Sequence, residues 1–189
     1  MAKFAEIRNR YAFHPGAKRW SKFLDLPYWI EMNLIRIRRT GLDVKRPQRV
    51  LDLGCGAGYF LYIAKLLGHE CIGLDTDEDP MFAEITRLLG IERLIWTIRP
   101  FTPLPAFRER FDLTTAYAIC FNNRRAADLW GVREWEFFLD DLETHLAPAG
   151  RIWLQLNQED DGIFYTPELK NFFLGRGADV RGSRVLLER

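Results

Sequence analysis

A short apolar run, Val50-Leu51-Asp52-Leu53, passes directly into Gly54-Cys55-Gly56-Ala57-Gly58 and then into a helical stretch that opens at Tyr59. No other segment narrows the folding choices of the chain so far. A buried strand that meets three alternate glycines must turn tightly, and backbone without side chains can approach a ligand closely there. In open α/β sheets such turns lie at the carboxyl ends of the strands, where ligands bind. The rest of the chain keeps the same rhythm. Residues 49–53 (RVLDL), 70–75 (ECIGLD), 92–98 (ERLIWTI), 111–119 (FDLTTAYAI) and 151–156 (RIWLQL) are short apolar runs of strand length. Between them lie helical patterns. Tyr59–Leu67 carries Phe60, Ile63, Ala64 and Leu67 on one face, a second runs from Asp79-Pro80 to Gly90, and a third covers 131–146.

Strands alternating with helices require crossover connections, and these are right-handed and parallel. The expected fold is therefore α/β: a Rossmann-like three-layer sandwich with a seven-stranded, mostly parallel sheet. Two last strands, near 178–181 and at 184–188, flank Gly182-Ser183 and must form an antiparallel hairpin, because so short a turn permits nothing else. Ahead of the sheet, Asp25 and Pro27 start a helix that Gly41 stops, with Trp29, Ile30, Asn33, Leu34 and Ile37 as its stripe. Positions 1–26 read as irregular or briefly helical. The whole reads as one domain, 1–189, with residues 1–45 as a helical cap and 46–189 as the core.

Three readings compete for the glycine turn. A phosphate-binding P-loop needs Lys-Ser or Lys-Thr after its last glycine, and neither is present. A dinucleotide site needs G-x-G-x-x-G, but here the third glycine comes one residue early and Tyr59 stands in its place. The third is a turn that binds nothing. Against that one, Asp75 ends the next strand. Its separation from Gly54 is close to the roughly 20 residues at which a carboxylate is placed to accept hydrogen bonds from ribose hydroxyls.

Composition removes other classes. Apolar residues make up 48% and charged residues 28%, near globular averages, so disorder, collagen and coiled coil are excluded as the main organisation. No apolar run approaches the roughly 18 residues of a membrane span. MAKFAEIRNR lacks the apolar core of an export signal. Three cysteines and three histidines, none at ligand spacing, give neither a disulfide framework nor a structural zinc. A cytoplasmic protein is expected, with no metal and no membrane contact. The net charge of +1 conceals an asymmetry. Residues 1–50 hold 12 Lys/Arg against 4 Asp/Glu, and the remainder 15 against 22. The basic segment can face an anionic partner or pack on an acidic body. Arg36, Arg38 and Arg39 also suit the negative end of a helix dipole.

With LDLGCGAG and then GLD, the chain resembles the class I S-adenosylmethionine-dependent methyltransferases, and the element order from residue 49 to 189 agrees, the late hairpin included. The resemblance implies S-adenosylmethionine as the cofactor and S-adenosylhomocysteine as the product. By the same resemblance, Asp52, Gly54, Cys55 and Gly56 would border the amino-acid end of the cofactor, and Gly58 would permit close packing at the helix start. Asp75 would hold both ribose hydroxyls, Thr76 would lie beside the adenine, and Tyr117 would reach the cleft from the fourth strand. Many members place an acid after the third strand to meet the adenine amino group. Here Ile98-Arg99-Pro100-Phe101 stands there, so Phe101 either stacks on the adenine or is loop core. The fourth strand has no Asn-Pro-Pro-Tyr or Asp-Pro-Pro-Tyr signature and no Pro-Cys pair, which disfavours methylation of nucleic-acid bases. Cys120 reads as a small apolar residue.

On the acceptor side, the candidates are Tyr11 and His14 from the N-terminal segment, which in family members often closes over the cofactor, and Asn122, Asn123 and Trp130 beyond the fourth strand. Glu159, Asp160 and Asp161 read as a solvated acidic run. No general base is secure, so no catalytic residue is assigned. The expected activity is methyl transfer by direct displacement to a small-molecule acceptor. The alternatives are a nucleic-acid methyltransferase, with RNA the first partner to consider, and a cofactor-binding regulator without turnover.

Overall fold

A computed structural model describes residues 2–12, 21–118, 129–158 and 162–189 of the chain. Seven strands form one sheet: β1 (Arg49–Leu53), β2 (Glu70–Asp75), β3 (Glu92–Ile95), β4 (Phe111–Tyr117), β5 (Leu146–Gln155), β6 (Asp179–Arg181) and β7 (Arg184–Glu188). Their order is β3-β2-β1-β4-β5-β7-β6. The first five pair in parallel, and β7 alone runs against its neighbours β5 and β6. The order reverses between β1 and β2 on one side and β4 on the other, the switch point at which such sheets bind ligands.

Helices α1 (Ala2–Tyr11), α2 (Leu26–Thr40), α3 (Tyr59–Leu66) and α4 (Pro80–Leu88) supply the buried clusters on one face. Helices α5 (Val132–Thr144) and α6 (Pro167–Gly175) cover the other. Strand alternation explains the sorting. Leu51 and Leu53 face α5, whereas Val50 and Asp52 face α2 and α3. The helix starts are written in the sequence. Asp25 accepts from the Tyr28 amide at 3.3 Å, Asp79 from Met81 at 2.9 Å and Thr166 from Leu169 at 3.2 Å, each ahead of a proline in the first turn.

Three boundaries differ most from the sequence reading, beyond shifts of a residue or two, as at the ends of β4 and α5. The N-terminal segment contains a ten-residue helix, with Phe4, Ile7 and Tyr11 buried at helical spacing against Met81, Phe82 and Ile85. β3 ends at Ile95 instead of residue 98, because the Trp96 amide takes the carbonyl of Asp75, the last residue of β2, and no partner strand extends beyond it. β5 starts at Leu146, before Pro148-Ala149-Gly150. Leu146 already pairs with Phe111, so the expected turn is a bulge inside the ladder, with Ala149 at φ 63°. A Cβ on Gly150 would lie 2.8 Å from one carbonyl oxygen and 2.9 Å from another.

Candidate functional site

Three glycines shape the turn between β1 and α3. All are left-handed, Gly54 at φ 68°, Gly56 at φ 53° and Gly58 at φ 73°, where L side chains are strained. A Cβ on Gly58 would come within 3.0 Å of the Thr86 methyl, so this glycine lets α3 close on α4. A Cβ on Gly54 would meet nothing within 4 Å, so the space above it is open. The amides of Gly54 and Cys55 both donate to the Leu74 carbonyl, at 2.7 and 3.2 Å, which draws the loop over the end of β2.

Asp75 lies beneath that loop. The Gly56 amide donates to its Oδ2, and the Thr76 amide donates to its Oδ1 at 2.7 Å. Each oxygen keeps lone-pair capacity, so the carboxylate is presented in a fixed orientation able to accept two further hydroxyls. Burial pushes its pKa up, while the two amides and Arg93 oppose the shift. Arg93 donates to the Thr76 carbonyl and pairs with Asp77 at 3.1 Å.

Asp52 is buried at 4% exposure on the α2 side of the sheet. Its register partner on β4 is Thr115, whose hydroxyl donates to Asp52 Oδ1 at 2.6 Å. Burial raises its pKa to about 7; the Thr115 bond and the charge of Arg36 pull it down, and the charge of Asp75 pushes it up. A buried carboxylate held by one hydroxyl suits a ligand that brings its own cation, since an uncompensated buried charge is costly.

Cys55 turns its thiol inward. A Cβ on Gly73 would lie 2.5 Å from its sulfur, and burial holds the thiol well above its ordinary pKa. Only the main chain of Cys55 faces the loop's open side. The Tyr117 ring is sandwiched between Phe60, 5.1 Å away edge-on, and the Arg36 guanidinium, 4.3 Å from its centroid. Its hydroxyl is buried without a hydrogen-bond partner. A cleft of about 210 Å³ opens beside Tyr117, between α2 and the sheet edge formed by the carboxyl ends of β5 and β6.

The structure thus brings Asp52, Gly54, Cys55, Gly56, Gly58, Asp75, Thr76 and Tyr117 to one end of the sheet. Phe101 is 51% exposed, at φ 53°, with its ring edge-on to Phe137 at 5.8 Å. It is therefore not loop core, and its face is accessible for stacking. Two residues expected on the acceptor side are engaged elsewhere. Tyr11 is 7% exposed, and its hydroxyl donates to Glu84 of α4 at 2.8 Å. Helix α1 packs on α4 and carries Tyr11 there with it. Trp130 is 4% exposed and packs edge-to-face on Trp135 and Phe138, at 5.5 and 5.3 Å. It lies outside the α5 stripe, but the chain folds it back on the first turn of that helix, so it is core. His14, Asn122 and Asn123 lie outside the described residues, as do Cys120 and residues 159–161. Among the described residues no group of three His, Cys, Asp or Glu could hold a metal ion, and no helix is long and apolar enough to cross a membrane.

Two site residues escape the sequence reading. Thr115 is found only once the β1–β4 register sets it opposite Asp52. Arg36 reads as a helix-end cation, yet the polar Asn33 stands within the apolar stripe of α2 one turn before it and accepts from Arg36 at 3.0 Å, so its place in the stripe is the usable signal.

No family model and no curated protein matches the chain. Solved structures do. The ribosomal protein L11 methylase of Lactobacillus delbrueckii subsp. bulgaricus aligns at TM-score 0.53 and 18% identity, over 83% of this chain and 75% of that one. The plantazolicin methyltransferase BpumL, solved with S-adenosylhomocysteine, aligns at TM-score 0.51 and 21% identity, over 83% and 59%. An amino pentose methyltransferase from Micromonospora echinaspora aligns at TM-score 0.49 and 22% identity, over 67% and 50%, so the chain spans half of that protein's length. At these identities the likeness is one of fold.

Proposed function

We propose, from a fold that is the class I methyltransferase fold, that this chain is an S-adenosylmethionine-dependent methyltransferase acting on a small molecule. One observation carries the reading: Asp75 is oriented by two backbone amides directly beneath a glycine loop whose first residue has open space above it. That is a seat for a nucleoside sugar. Asp52, buried and short of donors, supplies the matching seat for a cationic amino-acid end. The names of the structural neighbours, one of them solved with the demethylated cofactor, support the methyltransferase part of this reading.

When bound, the cofactor supplies a sulfonium-activated methyl group. The chain's part is to hold, orient and exclude water. Asp75 would hold the sugar, the glycine loop would let main chain lie against the ligand with no side chain between, and Tyr117 with its stacked guanidinium would wall the acceptor side. Orientation of this kind is worth about 7–11 kcal/mol of barrier. A cleft of about 210 Å³ is below the roughly 300–1,000 Å³ of drug-sized sites, which fits a small acceptor or one end of it.

Titration calorimetry with S-adenosylhomocysteine should show micromolar binding, and Asp75→Ala should weaken it about 100-fold, the loss of two charge-assisted hydrogen bonds. Equal affinity in both proteins would defeat the assignment of the sugar seat. Binding without turnover over a broad acceptor panel would favour a regulator instead.

A further inference from the structure

Four arginines from two distant stretches of sequence meet in the cleft beside this site. Strand register accounts for half of them. Tyr117, Gln155, Arg184 and Arg181 form one row across β4, β5, β7 and β6. It lies one step beyond the row of Thr115, Trp153 and Leu186, which continues to Asp52, and so nearer the carboxyl edge. Helix α2 lies over the same face and adds Arg36 and Arg39, one turn apart. The lining of the cleft contains these four guanidiniums and no carboxylate. Asp179 pairs with two of them, Arg181 at 2.9 Å and Arg184 at 2.5 Å. Arg39 makes no ion pair among the described residues.

The cleft also holds unmet donors. The Nε atoms of Arg36 and Arg184 and the Tyr117 hydroxyl are all buried without a hydrogen-bond partner. Buried donors are rarely left unpaired, since each forfeits its hydration. Two guanidiniums are held against rings, Arg36 on Tyr117 at 4.3 Å and Arg184 near Trp153 at 5.1 Å, which restricts their motion. Arg36 donates from Nη1 to Asn33 at 3.0 Å and Arg184 from Nη2 to Asp179, and their other N–H groups are left for a ligand. Tyr117 touches Phe60 of α3, the helix that the glycine loop opens, so the cleft adjoins the cofactor seat.

We propose that this cleft seats an oxyanion, phosphate or carboxylate, of the methyl acceptor. The acceptor is then a small phosphorylated or carboxylated molecule, held by its anionic end at Arg36, Arg39 and Arg184. The proposal rests on the methyltransferase reading and adds to it the chemical class of the substrate. An RNA backbone offers the same phosphate chemistry, but the cleft has room for one or two such groups and not for a helix.

The test is calorimetry at low ionic strength, where exposed charges are least screened, on protein saturated with S-adenosylhomocysteine. The probes are inorganic pyrophosphate and citrate. At least one should bind, and Arg39→Ala and Arg184→Gln should each weaken it about tenfold, the loss of one charge-assisted contact. Arg108→Ala, an exposed position ahead of β4 and so at the amino ends of the parallel strands, should leave it unchanged. Unchanged S-adenosylhomocysteine affinity in every variant reports that each is folded, and Arg39, being exposed, is the variant least able to disturb the fold. Equal anion affinity across the variants would overturn the proposal, as would binding of neither probe. So would tRNA binding that pyrophosphate fails to compete. If the nucleoside itself does not bind, the methyltransferase reading fails first, and the acceptor assignment falls with it.

Discussion

Asp52 sets a pH dependence that can be worked out from the structure. Its carboxyl is 4% exposed, and burial lifts its pKa from 3.8 to about 7. Between these values the folded chain keeps a proton that the unfolded chain has released. The unfolded state then binds fewer protons, so the contribution of Asp52 to stability falls as pH rises, by about 1.4 kcal/mol per pH unit. Over the window from about pH 4 to about pH 7 the loss reaches roughly 4 kcal/mol. Asp52→Asn removes the ionisation and keeps an oxygen to accept from Thr115. Other carboxylates titrate in the same range, so the quantity to measure is the difference between the two proteins. Urea unfolding from pH 4 to pH 8 should show the variant gaining on the wild type, from little at pH 4 to several kcal/mol at pH 8. A difference that stays constant with pH would refute the reasoning. A cationic ligand end beside Asp52 would favour its ionised form, so the wild type should release a proton on binding S-adenosylhomocysteine at pH 6–7 and the variant should not. Calorimetry in buffers of different ionisation enthalpy reads this directly.

Two glycine substitutions probe the site's framework. Gly58→Ala must place a methyl group 3.0 Å from Thr86 Cγ2 at φ 73°, and should cost about 2–3 kcal/mol from left-handed strain and overpacking, read as a lower urea midpoint. Gly73→Ala sets its Cβ 2.5 Å from Cys55 Sγ and should cost about 1–3 kcal/mol. Adding Cys55→Ala should recover part of that loss, and a strictly additive double mutant would show that the two side chains do not compete for the same space.

The sheet is legible because each strand carries its own short apolar run and most helices announce their ends. Asp25, Asp79 and Thr166 sit ahead of prolines, and Gly41 closes α2 in the left-handed conformation. The failures arise where pairing overrules local signals. Residues 96–98 are as apolar as the strand before them, but β2 stops at Asp75 and leaves them no ladder to join. Pro148-Ala149-Gly150 looks like a terminator, yet the strand resumes beyond it because Leu146 and Arg151 both find partners on β4.

The proposed cofactor half of the site is legible for a different reason than the proposed acceptor half. The glycine loop and Asp75 belong to one β1–α3–β2 unit and are tied by backbone geometry, so their spacing alone marks a candidate seat. The proposed acceptor side is assembled from side chains at 36, 39, 117, 155, 181 and 184, and nothing in the local sequence relates them. What relates them is sheet register. Gln155 pairs with both Tyr117 and Arg184, and Arg184 pairs with Arg181, so one row of the ladder carries residues from four strands to the same edge. Charge counting points to the stretch 1–50 as a basic surface and misses that two of its arginines turn into the cleft to meet two others from the far end of the chain. A cationic cleft built this way leaves little trace in composition. Arg181 and Arg184 flank the hairpin turn at Gly182-Ser183, and β7 is held to β5 by five pairs whereas the edge strand β6 is held to β7 by three, so a one-residue change in that turn's length would shift β6 and carry Arg181 off the row, removing one cation from the cleft while leaving Arg184 and the glycine loop untouched.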